Sequence, residues 1–395
     1  MSKLTEDICS QVNKNEYDHQ ALFFKAYSAF EHHDYKKCLE YLEMVISRFK
    51  SSSSVFKADA LYLQARAFVH LGLRTEAQQS LQAALEAGFL AIHHLKQEMQ
   101  LKSLYSEDQW FNQIEVSRQN LVKARSIKTQ AHYKYSAIPE DSEIDSKVSF
   151  LWEHHLHSYY QQLQLQANIK SSPQNLSEAM TIVGTYVQNL WSHRGDLAAE
   201  NMSSLEILEA AQAGKSFRCL EYAQLFSDLM TSFGFYSRPL YLFTEKMSEP
   251  TLGQSHVVSE VFNNKTSSWQ YVDVQWGLIP EINNDSCDFF QLHNTINIDS
   301  NLKFLSWSQP SDSDTELFYK NWISDYLVFF GAHQNQKPSI PFSEKKEMLF
   351  LAPLGTDTPS QFQGGDLPWT LIPTSMETLI KPPLIRQSRS RCSLL

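Results

Sequence analysis

Helical and strand-like periodicities are segregated along this chain. Apolar residues recur at helical spacing from about residue 18 to residue 90, and again at 148–166 and 176–191, as in amphipathic helices. Strand-like segments occur only after residue 235. A chain of 395 residues is long enough for two or three domains and at least one sizeable core. We therefore expect a helical domain first, and strands only in the part that follows it.

The helical segment at 18–90 contains a doubled pattern. The pair Ala29-Phe30 recurs as Ala67-Phe68, with a turn glycine, Gly72, in the second unit. This resembles a pair of tetratricopeptide repeats, in which small residues let paired helices approach closely. Because two repeats are fewer than such arrays usually need, we expect the helices at 91–130 to extend or cap the stack. A plain helical hairpin without a partner groove is the alternative.

Composition marks the domain boundaries. We assign 1–17 to an N-terminal tail and 18–130 to the repeat domain. Residues 131–145 lose the helical period and contain a proline among acidic residues, as expected of a linker. A catalytic domain is expected at 146–335. Residues 336–395 hold eight of the fourteen prolines and are expected to form an extended, poorly packed or partly disordered tail.

Cys219 lies at the predicted start of a buried helix, whose apolar stripe comprises Cys219, Ala223, Phe226, Met230 and Phe233. Gly234 is placed to end this helix, and Gly214 to make a tight turn before it. A thiol in the first turn feels the positive end of the helix dipole, which lowers its pKa, and Arg218 adds a positive charge. The alternative is a small buried hydrophobic residue, as most free cysteines are.

Two strands are predicted downstream, in the segments HVVSEVF and WQYVDVQW, joined by a turn at Asn263-Asn264. His256 and Asp273 lie on them, and an antiparallel hairpin can place these residues side by side. His256 would then take the thiol proton of Cys219 and later protonate a leaving amine, while Asp273 would orient the imidazole. A half-exposed hairpin with an incidental His and Asp is the alternative.

The local context of these residues closely resembles the transglutaminase-like core of the papain-type cysteine enzymes. The resemblance covers about 145–335, with its specific motifs at about 205–280. It implies an α+β, papain-like fold, with a nucleophile on a central helix packed against an antiparallel sheet that carries His and Asp. It also implies cofactor-free acyl transfer through a thioester. The matching residues are Gly214, Cys219, Tyr222, Ala223, Leu225, Gly234, Phe235, Arg238, His256, Glu260, Val261, Trp269, Val272 and Asp273.

The sequence departs from this family at two places. Residues 215–218 read Lys-Ser-Phe-Arg, where the family often has small residues with an aromatic residue or a second glycine. Two valines follow His256, where a Trp is common in the second position. Both changes would reshape the acyl groove, so the family's substrates are not carried over. Some members use an upstream Trp as an oxyanion donor beside the cysteine N–H, which makes Trp191 the candidate here; a plain core residue is the alternative.

Charge and cysteine usage exclude several classes of protein. The net charge of -10 disfavours nucleic acid as a partner, since phosphate binding requires a basic face. The N-terminus lacks an apolar segment of signal-peptide length, which favours a cytosolic protein. Scattered cysteines without CxxC spacing favour free thiols in a reducing compartment. The five are Cys9, Cys38, Cys219, Cys287 and Cys392.

No metal or other cofactor is expected. The histidines at positions 154, 155 and 157 would be spread around a helix instead of converging on one metal ion. The pair His32-His33 is interpreted in the same way, as part of a turn in the first repeat. The sequence also contains no glycine-rich phosphate-binding loop.

The C-terminus fits a prenylation motif. Cys392 is followed by Ser393, Leu394 and Leu395, and a final leucine favours geranylgeranyl over farnesyl. Three arginines upstream would supply the second membrane signal that one lipid requires. Lipidation would attach the protein to the cytosolic face of a eukaryotic membrane, as a native or a delivered bacterial protein. A basic tail with an accidental cysteine is the alternative.

Together these patterns predict a thiol-dependent acyl-transfer enzyme that acts on amide bonds of protein or peptide substrates, with helical repeats that recruit a protein. Water or an amine would resolve the thioester, as in a protease or deamidase or in a transglutaminase respectively. Two alternatives stay open: a non-catalytic, membrane-targeted scaffold, and acyl transfer from a thioester donor such as acyl-CoA.

Overall fold

A computed structural model describes residues 17–48, 55–127, 133–135, 150–155, 157–193, 199, 201–247, 253–298, 301–307, 312–338, 340–356, 361–364 and 367–383. These residues combine helices with strands and divide into two compact units. The helical unit consists chiefly of the described residues up to 130 together with 312–323. The mixed unit consists of the described residues of 131–248, 254–311 and 324–395. Among the described helices, none is long and apolar enough to cross a bilayer.

The helical unit begins with two helical hairpins, as the doubled pattern predicts. Its elements are α1 (Tyr17–Glu31), α2 (Tyr35–Arg48), α3 (Val55–His70), α4 (Arg74–Glu86), α5 (Ile92–Gln97), α6 (Met99–Lys102) and α7 (Glu107–Ile127). Helix α3 is buried on two faces: Ala60 and Ala67 belong to one apolar cluster, and Ala58 and Ala65 to another. Small side chains on both faces allow the neighbouring helices to approach this helix closely.

A helix from much later in the chain completes the helical unit. This helix, Ser313–Ile323 (α13 below), packs against α5 and α7. Arg118 of α7 donates to both oxygens of Asp314, at 2.8 and 2.6 Å, and Lys96 lies 2.5 Å from the same carboxylate. The sequence interpretation assigned this segment to the catalytic domain at 146–335. The contacts that place this segment in the helical unit join residues about two hundred positions apart. No local sequence pattern indicates such contacts.

The mixed unit consists of helices followed by a seven-stranded sheet. In chain order its elements are α8 (Ser158–Ala167), α9 (Leu176–Gln188), α10 (Ser204–Gln212), α11 (Cys219–Ser232), β1 (Ser237–Phe243), β2 (Ser255–Asn263), β3 (Ser268–Val272), β4 (Leu278–Ile282), β5 (Asp285–Ser286), α12 (Phe289–Thr295), β6 (Leu302–Ser306), α13 of the helical unit, β7 (Phe329–His333), β8 (Glu347–Leu351), β9 (Gln361–Gly364), β10 (Leu367–Pro373) and α14 (Met376–Ile380). Two 3₁₀ turns lie at Ser324–Tyr326 and Phe342–Glu344.

The large sheet has the strand order β3-β2-β1-β7-β8-β10-β9. Its neighbours are antiparallel except β8 and β10, which are parallel. Strands β4, β5 and β6 form a separate small sheet. Helix α11 packs against β1 and β2 on one side and against α8, α9 and α10 on the other. Every residue of α11 after Cys219 is buried as a result.

The expected boundaries of α11 are confirmed. The helix begins at Cys219 and is followed by Gly234, whose φ of +91° is a left-handed conformation that glycine adopts without strain. Gly214, expected at a tight turn before the helix, has a φ of +88°. The hairpin is also present, with β2 and β3 paired antiparallel around the predicted turn.

The expected loose tail at 336–395 is wrong for its described part. Strands β8, β9 and β10 extend the large sheet, and Leu349, Phe350 and Leu371 are buried. The prolines mislead because several of them lie outside strand interiors: Pro338 and Pro341 lie between β7 and β8, Pro353 follows β8, and Pro373 ends β10. Of the expected linker, only 133–135 is described. Residues 1–16, with Cys9, and 384–395, with Cys392, lie outside the described residues.

A fully buried ion pair joins β1 to β2. Arg238 and Glu260 are opposite each other across the two strands, and Arg238 Nη2 donates to Glu260 Oε2 at 2.8 Å. Both side chains are completely buried, and the guanidinium lies over the rings of Trp269 (4.1 Å) and Phe150 (4.5 Å). These contacts link three strands, because Arg238 lies on β1, Glu260 on β2 and Trp269 on β3.

Replacing Arg238 with Met should destabilise the protein by about 3–5 kcal/mol, because it leaves the buried Glu260 carboxylate unpaired. The free energy of unfolding is measured by urea denaturation for the unmodified protein, the single variant and the double variant. The double variant Arg238→Met/Glu260→Gln removes both charges and should recover part of the loss. Equal stability of Arg238→Met and the unmodified protein would contradict this account.

Candidate active site

Cys219 lies at the N-terminal end of an otherwise buried helix. It is the first residue of α11, and its side chain is half-buried, whereas the other described cysteines, Cys38 and Cys287, are buried. The turn at Gly214 and the extended Arg218 bring the chain into the helix from α10. The thiol therefore stands where the free backbone N–H groups and the positive end of the helix dipole are concentrated.

The strand hairpin brings His256 and Asp273 together. Ser259 is paired with Val272, which places Asp273, just beyond β3, on the same face as His256. His256 Nε2 lies 2.7 Å from Asp273 Oδ2, and both side chains are buried. The other carboxylate oxygen accepts the backbone N–H of Trp276 at 3.2 Å. The expected side-by-side placement of His256 and Asp273 is confirmed.

The third predicted residue is in contact with the same imidazole. The Cys219 thiol is hydrogen-bonded to the His256 side chain. Because Nε2 is engaged by Asp273, Nδ1 is the nitrogen left for the thiol. The structure therefore brings all three residues predicted as catalytic into one chain of hydrogen bonds, from thiol to imidazole to carboxylate.

The thiol also contacts a second imidazole, which the sequence interpretation missed. His193 is exposed, lies beyond the end of α9, and hydrogen-bonds Cys219. Fourteen histidines occur in the chain, and no spacing relates this one to the cysteine. Its position two residues after Trp191 is the one signal available in the sequence. The sequence interpretation also missed Tyr326, because no spacing relates it to the site. Its half-buried ring lies 6.0 Å from that of His256.

The surroundings favour an ion pair between thiolate and imidazolium. Burial opposes ionisation of Cys219, but the hydrogen bonds and charges of His193 and His256 outweigh it and lower the pKa of the thiol to about 5. Burial also opposes protonation of His256, but the charge and hydrogen bond of Asp273, with the contribution of Cys219, raise its pKa to about 10. Between these values the sulfur is an anion and the ring a cation.

Arg218 was expected to activate the thiol, but it pairs with Glu221. Its Nη2 lies 3.0 Å from Glu221 Oε1, and its backbone N–H donates to Glu221 Oε2 at 3.0 Å. Glu221 thus caps the first turn of α11 and pairs with the guanidinium. The lowered pKa of Cys219 comes from the two imidazoles.

Trp191 lies beside the cysteine's helix turn. Its ring packs against Phe217 (5.3 Å between centroids) and Tyr222 (4.5 Å), the residues that flank Cys219. The indole Nε1 is buried and has no hydrogen-bond partner among the described residues. A core tryptophan accounts for the packing. The unpartnered donor is the observation that favours the oxyanion role, because leaving a buried N–H unpaired is costly.

The remaining histidine cluster has local contacts. His154 stacks on His155 at 4.3 Å, and His157 caps α8 by accepting the N–H of Tyr159. Among the described side chains, no group of three or more His, Cys, Asp or Glu is arranged to hold a metal ion.

No model of a protein family, no curated protein and no solved structure matches this chain. The resemblances to a transglutaminase-like core and to tetratricopeptide repeats therefore stay predictions from sequence motifs.

The rate of Cys219 alkylation by iodoacetamide should rise through an inflection near pH 5, since only the thiolate reacts. In His256→Gln the inflection should move up toward the ordinary thiol value of about 8.5. Cys38 and Cys287, whose pKa values burial raises to about 12, are internal controls and should label slowly. Peptide mapping after timed labelling gives each rate. An inflection at the ordinary value in the unmodified protein would contradict the ion pair.

Proposed function

We propose that the mixed unit is a thiol-dependent acyl-transfer enzyme that acts on amide bonds of protein or peptide substrates. The observation that carries the proposal is the hydrogen-bonded array of Cys219, His256 and Asp273, with a thiol pKa lowered to about 5. A lowered thiol pKa beside a carboxylate-oriented imidazole is the arrangement that activates a cysteine nucleophile. A scaffold without turnover would not need to keep an ionised thiol at the N-terminal end of a buried helix.

The first half-reaction forms a thioester. The Cys219 thiolate attacks the carbonyl carbon of the substrate amide, so that a C–S bond forms and the C–N bond breaks. His256 gives its Nδ1 proton to the departing amine, and the Asp273 carboxylate holds the ring in position throughout. Groups of this protein alone take part in the step, so the proposed reaction requires no cofactor.

An oxyanion site is proposed on the same helix end. The backbone N–H of Cys219 is at the first position of α11, where intrahelical acceptors are lacking. The unpartnered Nε1 of Trp191 would be the second donor. Two such donors would stabilise the negative oxygen that develops as the thiolate adds to the carbonyl.

The second half-reaction determines the product. Water as acceptor gives proteolysis, or deamidation when the substrate is a glutamine side chain, whereas an amine gives transamidation. All of these pass through the same thioester on Cys219. Support for the papain-type, transglutaminase-like assignment comes from the sequence motif together with the packing of α11 on the antiparallel strands β1 and β2.

The helical hairpins and the C-terminus would bring the enzyme to a protein partner and to a membrane. We propose that the helical hairpins of α1–α4 bind a protein partner. We also propose that prenylation of Cys392 would bring the enzyme to the cytosolic face of a membrane. Both proposals rest on the sequence patterns.

The whole chain, incubated with a glutamine-containing protein such as casein and with a fluorescent primary amine, should yield cleaved, deamidated or amine-labelled products. Cys219→Ser should abolish all three, and Asp273→Asn should slow turnover by about 10²–10⁴-fold, since it leaves the imidazole poorly oriented. Product masses identify which reaction occurs. Equal product formation by Cys219→Ser would overturn the proposal.

Trp191→Phe removes one N–H while keeping a ring against Phe217 and Tyr222. If the indole is an oxyanion donor, kcat should fall by about 10²–10³-fold with KM little changed. Trp152→Phe is the matched control, because its indole Nε1 is also buried without a described partner but its ring packs against Tyr236 and Trp269. An unchanged kcat in Trp191→Phe would assign this residue to the core alone.

A further inference from the structure

The Cys219 thiol is hydrogen-bonded to two imidazoles, and the proposed first half-reaction uses one of them. The two differ in their surroundings. His256 is 3 % exposed, and its Nε2 is held by Asp273. His193 is exposed to solvent. One of the two imidazoles is therefore enclosed by protein, and the other is open to solvent.

The segment that carries His193 is fastened to the nucleophile's helix on both sides of that residue. Before it, the Tyr222 hydroxyl donates to the Trp191 carbonyl oxygen at 2.7 Å. After it, the Ala199 N–H donates to Glu221 Oε1 at 3.1 Å. Tyr222 and Glu221 both lie in the first turn of α11, next to Cys219. The backbone on either side of His193 is thus anchored to the turn that positions the thiol.

We propose that His193 is a second catalytic residue, the general base for the acceptor that resolves the thioester. This rests on the proposed acyl-transfer function. The incoming water or amine must approach the acyl carbon from solvent, and a base must lie within hydrogen-bond reach of its proton. His193 meets both conditions, because it touches the reacting sulfur and is exposed. His256 is enclosed, and its Nε2 is committed to Asp273.

In hydrolysis, water is the acceptor. The water oxygen attacks the thioester carbon while one of its protons passes to His193. The C–S bond then breaks, its electron pair returns to the sulfur as thiolate, and a carboxylic acid is released. That acid gives its proton to His256, which restores the imidazolium opposite the thiolate. His193 returns its own proton to solvent, and the amine released earlier takes up a proton there.

An activated ester separates the two half-reactions. With p-nitrophenyl acetate the leaving group needs no proton, so the initial burst of p-nitrophenolate reports acylation of Cys219 and the later steady rate reports deacylation. His193→Gln should keep a burst of one equivalent and slow the steady rate by about 10²-fold, the lower range for a lost general base. Intact mass should then show acetyl-enzyme accumulating on Cys219.

Three further variants serve as controls for the effect of His193→Gln. His32→Gln, an exposed histidine of the helical unit, should behave like the unmodified protein. His256→Gln should slow the burst itself, because less thiolate is present. Added imidazole should restore deacylation in His193→Gly, which a merely structural loss would not allow, and an unchanged urea midpoint would show that both His193 variants are folded.

Two results would overturn the role of His193 alone. They are deacylation at the unmodified rate in His193→Gln, and equal slowing of burst and deacylation, which would mean that His193 acts only on the thiol. Failure of the unmodified protein to form acetyl-Cys219 would overturn the proposed acyl-transfer function, and the role of His193 with it.

Discussion

Enclosure of helix α11 is the constraint on which the mixed unit depends. A helix buried on every side has to satisfy its polar side chains internally, and those contacts align it with its neighbours. Ser227 donates to Ser259 of β2 at 3.2 Å, and Ser259 donates to the carbonyl oxygen of Ala223, also at 3.2 Å. Cys219, one turn before Ala223, packs in one apolar cluster with Val257, the neighbour of His256 in β2. The packing of α11 on β2 therefore brings the nucleophile to the part of the strand that carries the base.

The buried Arg238–Glu260 pair secures the strand that carries His256. It joins β1 to β2 at a point where both side chains are removed from water, and the ring of Trp269 on β3 covers the guanidinium. Arg238 also donates to the carbonyl oxygen of Leu379, which attaches α14 to the sheet. Removing one partner of such a buried pair leaves an uncompensated charge in the interior. Through its contacts Arg238 joins β1, β2, β3 and α14.

The neighbours of Cys219 activate its thiol by lowering its pKa, whereas burial acts in the opposite direction. Burial alone raises the pKa of a thiol, as it does for Cys38 and Cys287. At Cys219 two hydrogen-bonded imidazoles reverse that effect. Hydrogen bonds fix the neighbours of this cysteine. Tyr222 and Glu221 bind the backbone before and after His193, and Asp273 binds His256. The difference between an inert and an activated cysteine in this protein lies in those contacts.

Local patterns were sufficient to identify the helix beginning at Cys219, its glycine C-cap, and the hairpin that places His256 and Asp273 on one face. Each of these depends on spacing within about twenty residues, where helical and strand periods and turn residues act directly. His193, the strands between Glu347 and Pro373, and the membership of α13 in the helical unit could not be identified in this way. They depend on contacts between residues distant in sequence, such as Arg118 with Asp314, and only the packed chain brings such residues together.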